Sequence, residues 1–278
     1  MKKYAVLVWL ILLSSTVFTQ KYIKIDSVLT EFYYDYNFQQ DSTDSNSEKY
    51  QEMVLQVGMH SSKFTSVNIL YTDSLLYTVR DLGAAGFSKI WTKISGLRVH
   101  RFCEYTLFKN YPNKGNIHFK GGLGPKVNVM VDESINFNWK LQTNSDTIIA
   151  KYPCQKATCN FGGRKYVAWY TMVIPISDGP YKFKGLPGLI VRIADTKKEH
   201  VFQLYKVKNS NAGTSIINVV EDQYQNSTPQ GFAKAMKVYI ADMYRKYGGN
   251  TDISYSNPDG ESKTLRNIRA KNNYIERY

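Results

Sequence analysis

Residues 156–174 read KATCNFGGRKYVAWYTMVI. Two runs rich in β-branched and aromatic residues, Ala157–Phe161 and Arg164–Ile174, flank the pair Gly162-Gly163. Two glycines between such runs supply the positive φ values that a tight two-residue hairpin turn requires. In the second run Tyr166, Ala168 and Tyr170 alternate with Val167, Trp169 and Thr171, the period of a strand. Downstream, Leu189-Ile190-Val191-Arg192-Ile193 reads as another strand. It turns through Asp195-Thr196-Lys197-Lys198 into His200–Lys208, where Val201, Gln203, Tyr205 and Val207 share one face. These connections are too short for parallel crossovers, so the strands pair antiparallel.

Working outward, Val28–Phe38 and Tyr50–Met59 read as strands around the polar loop Gln40–Lys49. Leu97–Lys109 and Asn116–Lys120 flank the turn Tyr111-Pro112-Asn113-Lys114-Gly115, and Trp139–Gln142 and Asp146–Ile149 suggest short strands. Asp73–Leu82 reads as a short helix capped by Asp73. A longer helix starts with Thr228 as N-cap and Pro229 at its first position. It carries Phe232, Met236, Tyr239, Ile240, Met243 and Tyr247 at helical spacing and stops at Gly248-Gly249. The expected fold is mainly β (α+β): a curved antiparallel sheet or half-barrel packed by one long C-terminal helix. Residues 250–278 read as a polar tail in which Leu265, Ile268 and Ile275 can dock locally.

At the N-terminus, Lys2-Lys3 precede the apolar run Tyr4–Leu13 and a small-residue segment ending near Gln20. This is the pattern of a secretory signal peptide over residues 1–19, and the apolar run is shorter than the roughly 20 residues a membrane span needs. Cleavage removes two lysines and no acid, so the net charge falls from +13 to +11. The lysines are scattered among acids, which argues for solubility and against nucleic-acid binding. An oxidising destination permits a disulfide among Cys103, Cys154 and Cys159. Along an extended strand Cys154 and Cys159 lie roughly 16 Å apart, against about 5.5 Å for a bridge. A turn at Gln155-Lys156 would rescue that pair; pairing of Cys103 with either, or no bridge, is equally open.

The chemistry-bearing residues form no known catalytic pattern. His60, His100, His118 and His200 lack HExxH or zinc-finger spacing, and His100 with Cys103 is half a metal site at most. There is no GxSxG elbow, and Gly121-Gly122-Leu123-Gly124-Pro125-Lys126 lacks the GK[ST] of a phosphate loop. Asp132-Glu133 and Asp178 are acids without an evident partner. No catalytic residue, metal ligand or cofactor is assigned. The candidate ligand-binding residues are Arg164, at the end of its strand, Trp169, on one face of that strand, and Asp178, in the connection that follows.

Several motifs occur in order: Tyr152-x-Cys154-x-Lys156-Ala157, Phe161-Gly162-Gly163-Arg164, Ala168-Trp169-Tyr170-Thr171, Ile174-Pro175, Gly179-Pro180, Phe183 and Gly185-Leu186-Pro187-Gly188-Leu189-Ile190. Ser62-Lys63-Phe64 and Lys271-Asn272-Asn273-x-Ile275-Glu276 stand as outer landmarks. Together they resemble the GLPGLI family of exported Gram-negative bacterial proteins, with Pro153 a departure where a polar residue is usual. The resemblance implies export and a shared fold, and supplies no catalytic residues. The hexapeptide itself reads as architecture: Leu186, Leu189 and Ile190 are expected in the core, and Gly188 is expected at positive φ, so that Gly188→Val destabilises the fold.

The functional expectation is an exported, non-enzymatic binding protein of the periplasm or cell exterior. Its partner is an apolar molecule, a peptide or an envelope protein, and no transmembrane span remains after cleavage. The alternatives are a hydrolase of envelope polymers or peptides and a structural part of an outer-membrane assembly. A continuous apolar cavity beneath the helix would favour the first reading, and converging acids near Asp178 the second.

Overall fold

The computed structural model describes residues 21–97, 102–123, 127–210, 213–220, 224–248 and 271–277. The signal peptide at 1–19, His100 and most of the expected tail, residues 250–270, lie outside them. The glycine pair does form a tight hairpin, with φ of 53° at Gly162 and 71° at Gly163. It joins β9 (Tyr152–Phe161) to β10 (Arg164–Thr171), with Arg164 opposite Phe161. β10 then pairs with β11 (Leu189–Asp195), which pairs with β12 (His200–Asn209), all antiparallel. β8 (Lys140–Ile149) completes this half of the sheet beside β9.

The other half is a second meander: β2 (Thr30–Gln39), β3 (Glu48–Val57), β4 (Ser62–Ser66), β5 (Thr106–Lys109), β6 (Ile117–Leu123) and β7 (Val127–Glu133). β2 pairs with β12, so one twelve-stranded sheet runs from β14 (Tyr224–Ser227) through β7–β2 and β12–β8. At that seam the rings of Tyr36 and Phe202 stack, with centroids 4.0 Å apart. The Tyr34 hydroxyl crosses the core to donate to the Ile190 carbonyl at 2.8 Å. A separate ribbon of β1 (Lys21–Ser27) and β13 (Ser215–Val220) covers one face near β4–β6, burying Val28, Phe108 and Ile216 together.

Two parts of the expected architecture are overturned. The sheet is mixed rather than antiparallel, because β14 runs parallel to β7, and no closed barrel forms among the described residues. Nor does one long C-terminal helix pack the sheet. Among the described residues there are three α-helices, α1 (Val67–Thr78), α2 (Gly83–Leu97) and α3 (Pro229–Gly248), and a short 3-10 turn at Arg80–Leu82. None of the described α3 side chains is buried. The helix sits beside β6 and β7, where Phe232 meets Phe119 at 5.3 Å between ring centroids. The physical reason is that the core is already filled from within. The connection 172–188 folds inward and places Tyr181, Phe183 and Leu186 among Phe137, Phe161 and Tyr166.

The hexapeptide closes that connection. Leu186, Leu189 and Ile190 are buried, each contributing about 1.5–3 kcal/mol of apolar burial. The glycine expectation is corrected in detail: positive φ (94°) belongs to Gly185, not Gly188. Gly188 is required by close approach instead, since a Cβ there would lie 2.1 Å from the Thr171 carbonyl oxygen. The three cysteines are buried free thiols, and burial pushes the Cys103 thiol up to about 12.

Candidate functional site

The three candidate residues fall into separate settings. Arg164 and Trp169 share β10 but face opposite sides, and Asp178 lies in the inward connection. The sheet registers explain each placement.

Ser62 and Lys109 are directly opposite across the β4–β5 ladder, on the core face. Asp178 descends onto both. Its Oδ2 accepts the Ser62 hydroxyl at 2.6 Å, and its Oδ1 accepts Lys109 Nζ at 2.5 Å and its neighbour's amide, Gly179 N, at 2.7 Å. Lys109 also donates to the Gly179 and Phe183 carbonyls. All three side chains are buried, and burial pulls the Lys109 ammonium below the usual lysine range against the opposing pull of Asp178. Every acceptor of Asp178 is thus engaged within the chain, and the carboxylate anchors the connection to the strands beneath it.

Arg164 serves a second anchor at one end of the sheet, where the β2–β3, β9–β10 and β11–β12 turns gather. Its Nη1 donates to Asp195 at 2.9 Å and Glu199 at 2.6 Å. Its Nη2 donates to Asn273 Oδ1 at 2.6 Å and to the Tyr274 carbonyl at 2.7 Å. A planar guanidinium with five donors suits this divided role, which a lysine would not fill. Nearby, Lys182 bridges Glu133 and Glu276, among the rings of Phe119, Phe161 and Tyr181. Burial raises the Glu133 carboxyl above its usual range despite Lys182. The residues the sequence reading did not single out here are Lys109, Lys182 and Glu199. Their signal was a charged residue at a strand or turn position whose neighbours alternate into the core.

His200 is buried beside Arg164's network and shares a 2.7 Å hydrogen bond between Nδ1 and the Tyr36 hydroxyl. Burial first, then the charges of Arg164 and Arg277, hold its pKa down to about 3, against opposing contacts from the Asn273 and Tyr274 backbone. In the unfolded chain it titrates near 6.5. As pH falls below that value the unfolded state takes up the proton first, so stability is present above it and lost on acidification. Between pH 7 and 4 this amounts to roughly 3 kcal/mol. Urea denaturation at both pH values should show that loss in the native sequence, and a smaller one in His200→Asn, which keeps an acceptor for Tyr36.

Trp169 belongs to the outward face. Its cross-strand neighbours are Lys156 on β9 and Arg192 on β11, with the Lys156 ammonium 5.6 Å from the ring centroid. The row continues through Gln203 and Asp35 to Glu52, each opposite the next. Tyr50 and Tyr205 stand 52% and 43% exposed beside it. Tyr50 donates to Asp35 at 2.8 Å, Tyr205 donates to Glu52, and Tyr33 meets Tyr205 edge to face at 6.3 Å. The ladder fixes the spacing of these side chains, and the hydroxyl–carboxylate bonds fix the tyrosine rotamers. The face is therefore preorganised.

Among the described residues, no cluster of three or more His, Cys, Asp or Glu is arranged to hold a metal ion. No described helix is long and apolar enough to cross a membrane.

A family model described as "Protein of unknown function (Porph_ging)" matches residues 162–192. That stretch runs from the glycine turn through Arg164, Trp169 and Asp178 to the end of the hexapeptide and Arg192. The match carries this description and not the GLPGLI name. No curated protein matches the chain. Two solved structures of PNGF-II, in space groups P21 and C2, are similar at 13% identity, with TM-scores of 0.48 and 0.47. The likeness covers 77% of this chain but 34% and 33% of theirs, so the chain spans about one third of their length.

Proposed function

We propose that this is an exported, non-enzymatic binding protein that docks an envelope protein on the outward face of the main sheet. The observation that carries the reading is the preorganised row Trp169–Arg192–Gln203–Asp35–Glu52 with Tyr33, Tyr50 and Tyr205 around it. Tryptophan, tyrosine and arginine are the side chains that dominate protein–protein hot spots, and their rigidity lowers the entropy lost on docking. Export rests on the Lys2-Lys3 and Tyr4–Leu13 pattern.

The interior favours neither rival chemistry. Beneath the sheet the rings of Phe137, Phe161, Tyr166, Tyr181 and Phe183 pack into one core. Asp178, the acid around which a hydrolytic site was expected, is consumed by Ser62, Lys109 and Gly179.

A photo-crosslinking residue at Gln203, expressed in native envelopes, tests the proposal. The expected result is a discrete crosslinked protein that disappears in the Trp169→Ala/Tyr205→Ala double variant. Tyr205 is exposed, but Trp169 is half-buried and packs against the core, so a thermal melt of the double variant accompanies the crosslinking and shows that it is folded. Crosslinks unchanged in the double variant, or none in the native sequence, would refute docking at this face.

A further inference from the structure

The described residues 271–277 form no strand and no helix, yet Asn273 is buried and its neighbours bond to the turns of the sheet. The segment lies across the turn end of the sheet, on a surface separate from the outward row. Asn272 exchanges side-chain hydrogen bonds with Ser42 and Asp41. Asn273 is 6% exposed; its amide nitrogen donates to the Gln39 carbonyl and its oxygen accepts from Arg164 and Arg277. Tyr166 donates to the Ile275 carbonyl at 2.9 Å. Glu276 meets Lys182 and Tyr181, and Arg277 donates to Glu199 at 2.7 Å.

The receiving surface is cut to this segment. A Cβ on Gly162 would lie 2.9 Å from the Glu276 side chain, and one on Gly163 would lie 2.6 Å from the Arg277 carbonyl. Gly162 in turn accepts the Arg277 amide at 2.7 Å. The glycine turn therefore serves two ends at once: it turns the hairpin, and its missing side chains open the floor of a groove. Charges are matched position by position, with Lys182 receiving the Glu276 carboxylate and Glu199 receiving the Arg277 guanidinium.

We infer that this groove is a sequence-reading peptide site whose resident ligand is residues 271–277, and that the same segment of a second copy can exchange into it. Recognition is by side chains, in the pattern Asn-x-Ile-Glu-Arg, and not by strand addition. Twenty-two residues separate Gly248 from Lys271, and a chain of that length reaches up to about 75 Å when extended. This exceeds the width of a domain of this size, roughly 40–50 Å from its expected radius of gyration. The contour length of the intervening sequence is thus compatible with exchange between copies, and covalent linkage favours the segment of the same chain when the protein is dilute.

The test uses the full chain with one specific protease site introduced between residues 249 and 270, cleaved after folding. A fluorescent synthetic peptide of residues 271–278 is the probe, and circular dichroism and a thermal melt follow the fold. The expected result is a cleaved protein that stays folded and takes up the peptide in place of its own segment. Peptides carrying Asn273→Ala or Glu276→Ala should bind at least tenfold more weakly, and a scrambled peptide should not bind. Uptake of the scrambled peptide to the same extent, or no uptake by a folded cleaved protein over days, would overturn the inference. Loss of the fold on release of the segment would also overturn it, because the segment would then be core and not ligand.

Discussion

Asp178→Ala is expected to lower stability by about 3–5 kcal/mol, because it strands the buried Lys109 ammonium. The loss is larger than that of the hydrogen bonds alone. Lys109 keeps two carbonyl acceptors, Gly179 and Phe183, but no counter-charge, while Ser62 and the Gly179 amide lose their acceptor. Equilibrium denaturation of the single and double variants separates the causes. Adding Lys109→Met removes the stranded charge, and should return part of the lost stability if the charge is the main cost. A loss below 1 kcal/mol in Asp178→Ala would mean that the carboxylate is not an anchor, and would restore it as a candidate for ligand chemistry.

The second large effect is at Gly188. A valine there drives its Cβ to 2.1 Å from the Thr171 carbonyl oxygen and 3.1 Å from the Met172 Cα. Both obstacles are backbone, so no rotamer change relieves them. Moving β10 away from β11 would break the Thr171–Leu189 pairing. The expected cost exceeds the 1–3 kcal/mol usual for overpacking, and Gly188→Ala should share most of it. Gly185→Ala is the informative contrast. That position has room, with Trp139 Nε1 3.8 Å from the added Cβ, but a φ of 94°, so the expected cost is the milder 1–2 kcal/mol of left-handed strain. Melting temperatures in which Gly185→Ala is the more damaged variant would invert this account.

What could be read beforehand followed from local chemistry. The Gly162-Gly163 turn was legible because few residues other than glycine tolerate its dihedrals. The α3 start was legible because Thr228 supplies a cap, seen in the 3.0 Å bond from Gly231 N to Thr228 Oγ1. Where local signals compete, tertiary contacts decide between them. Asp73 looked like a cap, but Ser66 caps α1, and Asp73 sits inside that helix paired with Lys63 at 2.8 Å. The strand expected from Leu97 begins only at Thr106, because Leu97 ends α2. β14 is four residues without alternation, so its parallel pairing left no pattern to find. The candidate site shows the same limit. Arg164 is conspicuous, but its partner Asn273 is 109 residues away, in a segment that reads as a polar tail with only local docking of Ile275. Buried polar networks are assembled by topology, and spacing along a chain does not encode them.

The seam between β2 and β12 has a kinetic consequence. Its partners, such as Tyr36 and His200, are 164 residues apart, whereas, β14 excepted, each half-sheet pairs strands that follow one another in the chain. As the polypeptide is made, the β2–β7 meander can assemble early, but β2 must wait with an open hydrogen-bonding edge until His200–Asn209 arrives. Closing so long a loop costs entropy before any contact repays it. Folding order therefore follows synthesis order, with the seam closing only after His200–Asn209 is made. The half-sheet formed first is the species most exposed to self-association, and completion of the fold is a late event that the newest part of the chain controls.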